Sequence, residues 1–131
     1  MPSILVIEDK ESMRQMLYKT LEAEDFEVEA FGDGKAALNK AKEKKFDLVI
    51  TDLKLPNLDG IEVLKNLKEI DPDISVVVMT AYGTIETAVE AMKLGAFDFI
   101  TKPFDTEYLV VLVKKALENR RIVTENILLK E

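Results

Sequence analysis

The stretch Phe46-Asp-Leu-Val-Ile-Thr-Asp52 decides the fold of this chain. It is a short apolar run rich in β-branched residues, which is typical of a strand buried on both faces of a sheet. The run ends in a carboxylate just before Leu53-Lys-Leu-Pro56, so we expect Asp52 to lie where the backbone leaves the sheet. Its side chain should therefore face solvent and not the core.

Four further runs have the pattern of strands, and helical periodicity separates each strand from the next. These strands are predicted at residues 3–7, 26–31, 74–79 and 96–100. The run at 26–31 alternates apolar with polar residues, which indicates a sheet edge with one wetter face. The pattern predicts an α/β fold: a single doubly wound, five-stranded parallel sheet with strand order 2-1-3-4-5.

The predicted helices show apolar faces at helical spacing. In the second helix, about residues 34–43, the lysines opposite the apolar face are typical of a solvated surface. Asp59 is expected to cap the third helix, and Gly95 to end the fourth. One side of the fourth helix carries four apolar residues: Ile85, Ala88, Val89 and Met92.

Length and composition narrow the possible functions. The 131 residues suffice for one domain, and no apolar run is long enough to cross a bilayer. The absence of Cys and His excludes thiolate chemistry and the commonest general base, so chemistry must rest on carboxylates, hydroxyls and lysine. A formal net charge of −7 argues against direct nucleic-acid binding, and the composition fits a reducing, cytoplasmic location.

Polar side chains follow four of the predicted strands at the same edge of the sheet. In the order 1-3-4-5 the strand ends are Glu8-Asp9, Asp52, Thr80 and Lys102. Because adjacent strands lie ~4.8 Å apart, the acids can share one small cation and the long lysine can reach Asp52. Three crowded carboxylates need a divalent cation, and an all-oxygen ligand set predicts Mg²⁺.

An acidic, metal-binding crevice flanked by a hydroxyl and an ammonium suits phosphoryl transfer, which depends on positioning and charge neutralisation. Asp52 emerges at its centre and is the natural nucleophile, so an aspartyl phosphate would form there. Mg²⁺ and Lys102 would neutralise the transferring oxygens, and the Thr80 hydroxyl would bond a third position.

The sequence resembles the receiver domain of two-component response regulators, which has a flavodoxin-like fold. The similarity extends from residue 4 to about residue 119. The stretches at 79–83 and 95–105 are similar to the NtrC-like group, whose receivers control an ATPase that activates transcription. The residues that carry the resemblance are Glu8-Asp9, Asp52, Asp59-Gly60, Thr80-Ala81, Gly95-Ala96 and Lys102-Pro103.

The resemblance implies that a sensor histidine kinase donates a phosphoryl group from its own histidine to Asp52. It implies that Asp9, Asp52 and the backbone carbonyl of Lys54 hold Mg²⁺, with Glu8 acting largely through water. The peptide bond before Pro103 would be cis, as in the family.

The resemblance also implies a switch, in which phosphorylation draws Thr80 inward and the aromatic ring of Phe99 follows. This movement would alter the face made by the fourth helix, fifth strand and fifth helix. The family often has Tyr at the Phe99 position, and Phe cannot donate a hydroxyl hydrogen bond. Lys54 and Tyr82, each two residues beyond a site residue, should overhang the phosphorylated site and control its dephosphorylation.

The residues bear on three alternatives to a phosphorylated receiver. A phosphatase of the haloacid-dehalogenase type needs an acid two residues after its nucleophile, where this chain has Lys54. An FMN carrier needs a phosphate-binding loop after the first strand. The acids within residues 8–11 of this chain would repel that phosphate. A receiver-like interaction module that is never phosphorylated stays open.

The last helix pattern continues beyond the receiver domain (1–119) into residues 120–131, which we interpret as a helical extension at the start of a linker to an absent output domain. A continuous helix to about residue 129 would be ~37 Å long. Its partial coiled-coil seam predicts a weak or moderate homodimer through the last helix, against the alternative of a frayed linker. The seam consists of Val113, Ala116, Arg120, Val123, Ile127 and Lys130.

Overall fold

The computed structural model describes residues 1–56, 58–81 and 85–130, with side chains described as far as residue 119. Strands and helices alternate along the chain, as the sequence predicts. The elements are β1 (Ser3–Ile7), α1 (Glu11–Glu22), β2 (Glu27–Phe31), α2 (Gly34–Glu43), β3 (Leu48–Asp52), α3 (Gly60–Ile70), β4 (Ser75–Thr80), α4 (Ile85–Lys93), β5 (Asp98–Thr101) and α5 (Thr106–Lys130).

The five strands form one parallel sheet in the order β2-β1-β3-β4-β5, which confirms the predicted fold class. Every residue of β1, β3 and β4 is buried, because helices cover both faces of the central strands. In β2 the pattern is exposed to half-buried, as expected for an edge strand. The order brings the carboxyl ends of β1, β3, β4 and β5 side by side.

Two apolar clusters hold the helices to the sheet, one on each face. The first joins α2, α3 and α4 to the sheet through residues such as Leu38, Leu64 and Ala91. The second joins α1 and α5 through residues such as Leu17 and Leu112. Full burial of one such leucine contributes about 1.5–3 kcal/mol, so each face is anchored by several independent contributions.

Aspartates cap the starts of three helices, as predicted for Asp59. Asp33 and Asp59 are the N-caps of α2 and α3, and each side chain accepts a hydrogen bond from the backbone N–H two residues on. Asp105 accepts from the N–H of Glu107 in the same way at the start of α5. Gly95 follows α4 with a φ of 102°, a conformation that favours glycine, so it supplies the expected stop.

The apolar side of α4 does not face the core. Ala88 is buried together with Ala91, but Ile85, Val89 and Met92 are 67%, 47% and 38% exposed. Helical spacing shows which residues share a side, but not which side the sheet covers. The small alanines make the close contact, and the large apolar residues form an exposed stripe.

The lysines near the end of α2 are also arranged differently from a simply solvated face. Lys44 Nζ lies 2.5 Å from Glu27 Oε1 and 2.9 Å from Glu29 Oε2, and Lys40 Nζ lies 3.6 Å from Glu29 Oε1. Such exposed and partly exposed pairs contribute little to the stability of the fold. Their charges lie along the edge strand β2, where charged side chains discourage pairing with another chain.

The last helix is continuous from Thr106 to Lys130, as predicted. Its first half packs on the sheet, with Leu109, Val113 and Ala116 fully buried. Val113 and Ala116 therefore belong to the core and not to a dimer seam, which corrects the predicted seam at those two positions. Among the residues that the structure describes, no helix is long and apolar enough to cross a bilayer.

Candidate functional site

The predicted site residues meet at the carboxyl edge of the sheet. Glu8 and Asp9 directly follow β1, Asp52 is the last residue of β3, Thr80 is the last residue of β4, and Lys102 directly follows β5. The end of β5 is tied to β4 because the backbone N–H of Lys102 donates to the Thr80 carbonyl at 2.8 Å. Parallel strands thus bring residues that are distant in sequence to one side of the sheet.

The carboxylate of Asp52 is held from both oxygens. Its Oδ1 accepts from the backbone N–H of Lys54 at 2.9 Å, and its Oδ2 accepts from Lys102 Nζ at 2.7 Å. Asp52 is only 7% exposed, so these contacts lie in a partly water-excluded setting where charge-assisted hydrogen bonds are strong. The side chain is consequently fixed in one orientation at the mouth of the sheet edge.

Lys102 also contacts Glu8, which sequence reasoning did not anticipate. Glu8 is fully buried, and its Oε1 accepts a hydrogen bond from Lys102 Nζ. The ammonium therefore lies between two carboxylates, one directly after β1 and one at the end of β3. The resemblance implied that Glu8 acts largely through water on a metal, whereas the structure gives it a direct protein partner.

The charge states of Glu8 and Lys102 follow from their burial and from the contact between them. Burial raises the pKa of Glu8 above its ordinary value, and the hydrogen bond from Lys102 opposes this shift without cancelling it. Burial lowers the pKa of Lys102, but hydrogen bonds to Asp52 and Glu8 outweigh burial, so the pKa ends above its ordinary value. Lys102 is therefore a permanent cation at neutral pH.

The acidic cluster fits a divalent cation. Glu8, Asp9 and Asp52 each offer a carboxylate oxygen, and these oxygens lie within 4.8 Å of one another. One lysine cannot neutralise three carboxylates, so the cluster keeps an excess of negative charge and offers only hard oxygen ligands. An open cleft of about 360 Å³ lies beside it, lined by the cluster together with Lys10, Lys54, Leu55, Pro56, Ala81 and Lys102.

The remaining predicted residues are placed as follows. Thr80 is 2% exposed at the end of β4, and Phe99 is half-buried against the cluster under α2, α3 and α4. The Lys102–Pro103 peptide bond is cis, as the resemblance implied. The backbone N–H of Lys54 contacts Asp52, and its exposed side chain borders the cleft. Tyr82 lies outside the described residues.

Sequence reasoning missed one residue next to the site, Arg14 of α1. Its Nη1 donates to the backbone carbonyls of Glu8 at 2.9 Å and Asp9 at 3.3 Å. Hydrogen bonds to backbone carbonyls depend on no particular partner side chain, so no residue pattern announces them. The nearest signal in the sequence is the glycine at position 32.

The model of the response regulator receiver domain family matches residues 4–114, and the chain belongs to this family. Transcriptional regulatory protein ZraR of Klebsiella oxytoca is 41% identical over 119 residues, covering 91% of this chain and 27% of that protein. Regulatory protein AtoC of Escherichia coli (strain K12) is 37% identical over 115 residues, covering 88% of this chain and 25% of that protein.

Solved structures agree with this assignment. NtrX from Brucella abortus superposes with a TM-score of 0.93 at 34% identity, covering 98% of this chain and 30% of that chain. The beryllofluoride-activated NtrC4 receiver domain dimer superposes with a TM-score of 0.87 at 35% identity, covering 92% and 99%. Within the family, the chain is a receiver domain of the NtrC-like group of two-component response regulators. It spans about a quarter of the length of the curated relatives named above.

Proposed function

We propose that this chain is switched by phosphorylation: it accepts a phosphoryl group on Asp52 from a sensor histidine kinase, in a reaction that requires Mg²⁺. The observation that carries the proposal is the setting of Asp52. Its carboxylate is fixed by Lys102 Nζ at 2.7 Å and the Lys54 N–H at 2.9 Å, beside two further acids and an open cleft. This arrangement presents a nucleophilic oxygen in a defined orientation.

The cation would be held by Asp9, Asp52 and the backbone carbonyl of Lys54. Glu8 would act from the outer layer, consistent with its contact to Lys102. When bound, Mg²⁺ supplies neutralisation of charge on the phosphoryl oxygens.

The chain's own residues supply the rest of the chemistry. A carboxylate oxygen of Asp52 bonds to phosphorus as the bond from phosphorus to the kinase histidine nitrogen breaks, which leaves an aspartyl phosphate. Lys102 donates to one phosphoryl oxygen, and the Thr80 hydroxyl donates to another. The receiver therefore catalyses its own phosphorylation, and later its own dephosphorylation, without turnover of a small substrate.

The same site would control an output surface. Thr80 would move toward the phosphoryl group, and Phe99 would follow into the space that Thr80 leaves. Thr80 ends β4, which precedes α4, and Phe99 lies in β5, which follows α4, so the movement would alter the face made by α4, β5 and α5. The exposed stripe of Ile85, Val89 and Met92 on α4 supports this face as a docking surface.

The output would belong to a longer protein. Residues 1–119 would be the receiver, and 120–131 would begin a linker to an ATPase that activates transcription and to a DNA-binding domain. The relatives' names as transcriptional regulators support this arrangement. The net charge of −7 makes direct DNA binding by this segment unfavourable. We place the protein in the cytoplasm, where its kinase would present the phosphohistidine.

Phosphoryl uptake tests the proposal directly. The chain is incubated with acetyl phosphate and MgCl₂, and its intact mass is followed by mass spectrometry. We expect one phosphoryl group per chain and no uptake when EDTA replaces MgCl₂. A chain that acquires no phosphoryl group under these conditions would instead be a receiver-like interaction module.

The lifetime of the aspartyl phosphate should depend on Lys54 and Tyr82. The Lys54 side chain borders the cleft that a hydrolytic water would cross to reach Asp52. Replacing both residues by alanine is expected to change the dephosphorylation half-life severalfold without preventing phosphorylation. Loss of the mass increment over time after removal of the donor measures this. An unchanged half-life would exclude both residues from control of hydrolysis.

We also propose a weak or moderate homodimer through α5 and its extension. Tyr108 and Val111 are 52% and 50% exposed on α5, and the helix continues for about three turns beyond residue 119. The NtrC4 receiver, a similar structure, is described as a dimer in its activated form, which supports pairing. Residues beyond 119 would then provide the seam, because Val113 and Ala116 are buried in the chain's own core.

Sedimentation equilibrium of the whole chain and of a chain ending at Asn119 tests the dimer. We expect the whole chain to dimerise at micromolar to high micromolar concentration and the shortened chain to dimerise more weakly. Both are measured with and without phosphorylation. If both chains are monomers in every condition, the extension is only a linker.

A further inference from the structure

The guanidinium of Arg14 contacts the backbone next to the site. It is half-buried beside the loop that joins β1 to α1. Its Nη1 donates to the carbonyl oxygen of Glu8 at 2.9 Å and to that of Asp9 at 3.3 Å. These two carbonyls belong to the consecutive residues whose side chains form two-thirds of the acidic cluster.

A second observation, from a different part of the chain, concerns the same guanidinium. A Cβ atom built on Gly32 would lie 2.7 Å from Arg14 Nη1 and 3.4 Å from Arg14 Cζ. The backbone conformation at Gly32 does not require glycine. Among the residues that the structure describes, the glycine with a positive φ is Gly95. Position 32 is therefore restricted by space, and the group that uses the space is the guanidinium.

Hydrogen bonds at the ends of β1 and β2 show how the backbone beside Arg14 is held. The Glu8 N–H donates to the Phe31 carbonyl at 2.9 Å, so the end of β1 is tied to the end of β2, next to Gly32. The peptide plane that precedes Glu8 is thus held by β2, and the planes that follow Glu8 and Asp9 are each held through their carbonyl oxygens by the guanidinium. Two fixed peptide planes determine the direction in which the Asp9 side chain leaves the backbone.

We infer that Arg14 is a positioning residue, which holds the loop that carries Glu8 and Asp9 in the conformation that binds a divalent cation, and that Gly32 provides the space for its guanidinium. The part of the inference that concerns cation binding rests on the proposed function, whereas the part that concerns the conformation of the loop does not. Loss of such outer supports to metal ligands typically costs tenfold or more in metal affinity. Arginine suits the role because a terminal guanidinium nitrogen carries two N–H groups, so Nη1 can donate to both carbonyls.

The geometry offers two independent ways to break the contact. Arg14→Gln removes the guanidinium. Gly32→Ala leaves the arginine in the chain but displaces it, and the fold should survive, because the next atom that the new Cβ would meet is the Glu8 carbonyl oxygen at an ordinary 3.7 Å. A glutamine at position 14 is too short to fill the same space, so Gly32→Ala should have no further effect in an Arg14→Gln background. Lys19→Gln, five residues further along α1, is the control for loss of one positive charge.

The test uses the whole chain labelled for NMR, with two readouts. In the absence of metal, hydrogen exchange of the Lys10 amide, which donates to Glu8 Oε2 at 3.3 Å, reports the order of the loop. Titration with MgCl₂ alone gives the cation affinity. We expect Arg14→Gln and Gly32→Ala each to speed exchange severalfold and to weaken Mg²⁺ binding about tenfold. The double variant should match Arg14→Gln, and Lys19→Gln should match the unaltered chain.

The outcomes separate this inference from the proposed function. If the unaltered chain binds no Mg²⁺, the proposed function and the cation-binding part of the inference are both wrong, while the exchange data still decide whether Arg14 orders the loop. If the unaltered chain binds Mg²⁺ but the two single variants bind it equally well, the inference alone is overturned. It is overturned as well if the losses from the two substitutions multiply in the double variant, since effects of a shared contact do not add.

Discussion

Asp52→Asn is expected to abolish phosphoryl uptake while the chain remains folded. The amide cannot act as a nucleophile toward phosphorus in the way a carboxylate does, and Glu8, the other acid that contacts Lys102, is fully buried, whereas Asp52 is 7% exposed. The amide oxygen can still accept from the Lys54 N–H, and Lys102 keeps its contact with Glu8. Replacing one of three clustered carboxylates also lowers their mutual repulsion, so little stability should be lost.

The matched control is Asp59→Asn. Asp59 lies seven residues further on and accepts from the Ile61 N–H at 2.9 Å as the N-cap of α3. Asparagine caps helices as well as aspartate does, so this variant should stay folded and take up phosphate normally. Intact mass after incubation with acetyl phosphate and MgCl₂ distinguishes the two. Equal labelling of the Asp52→Asn chain would show that the phosphoryl group resides elsewhere.

The strands could be predicted from the sequence because the sheet is covered on both faces. A strand buried on two faces has apolar residues at every position, and such runs in a polar chain are conspicuous. β2 was recognisable as an edge for the opposite reason, since one of its faces remains wet. The strand order followed from these two signatures, and it predicted the edge of the sheet at which the site lies.

Side-chain contacts that cross the sheet were predictable only in part. The meeting of Lys102 with Asp52 follows from strand order and side-chain length. Its second contact, with Glu8, depends on which way a fully buried carboxylate turns, and strand spacing does not determine that. The contact of Arg14 with two backbone carbonyls was less accessible still, because any residue would supply those carbonyls.

The exposed stripe on α4 shows a limit of helical periodicity. Ile85, Val89 and Met92 share a side at the expected spacing, yet the sheet is covered through Ala88 and Ala91. The amplitude of an apolar pattern does not identify the buried side when small residues make the closest contact. In this chain the more apolar side of α4 is available to a partner.

Gly60→Ala is expected to destabilise the fold by about 3 kcal/mol or more, because the start of α3 packs directly against the backbone at the end of β3. A Cβ on Gly60 would lie 2.3 Å from Leu53 Cα, 2.6 Å from the Leu53 carbonyl oxygen and 2.7 Å from the Asp52 carbonyl oxygen. All three are backbone atoms, so no side-chain rotation relieves the overlap. α3 would have to move away from the end of β3 and lose the Gly60 N–H to Leu53 carbonyl hydrogen bond of 3.0 Å.

Gly34→Ala is the matched control, because Gly34 is also the first residue of a helix that an aspartate caps. A Cβ there would meet only side-chain atoms, the nearest being Val63 Cγ2 at 3.2 Å, and these can shift. The gain in helix propensity offsets the crowding, so we expect a change within about 1 kcal/mol. Urea unfolding of both variants measures the free energies of unfolding from midpoint and slope. The Gly60→Ala chain should also take up phosphate more slowly, because the displaced backbone carries Asp52. Equal stability of the two variants would show that α3 is not held against the phosphoacceptor strand.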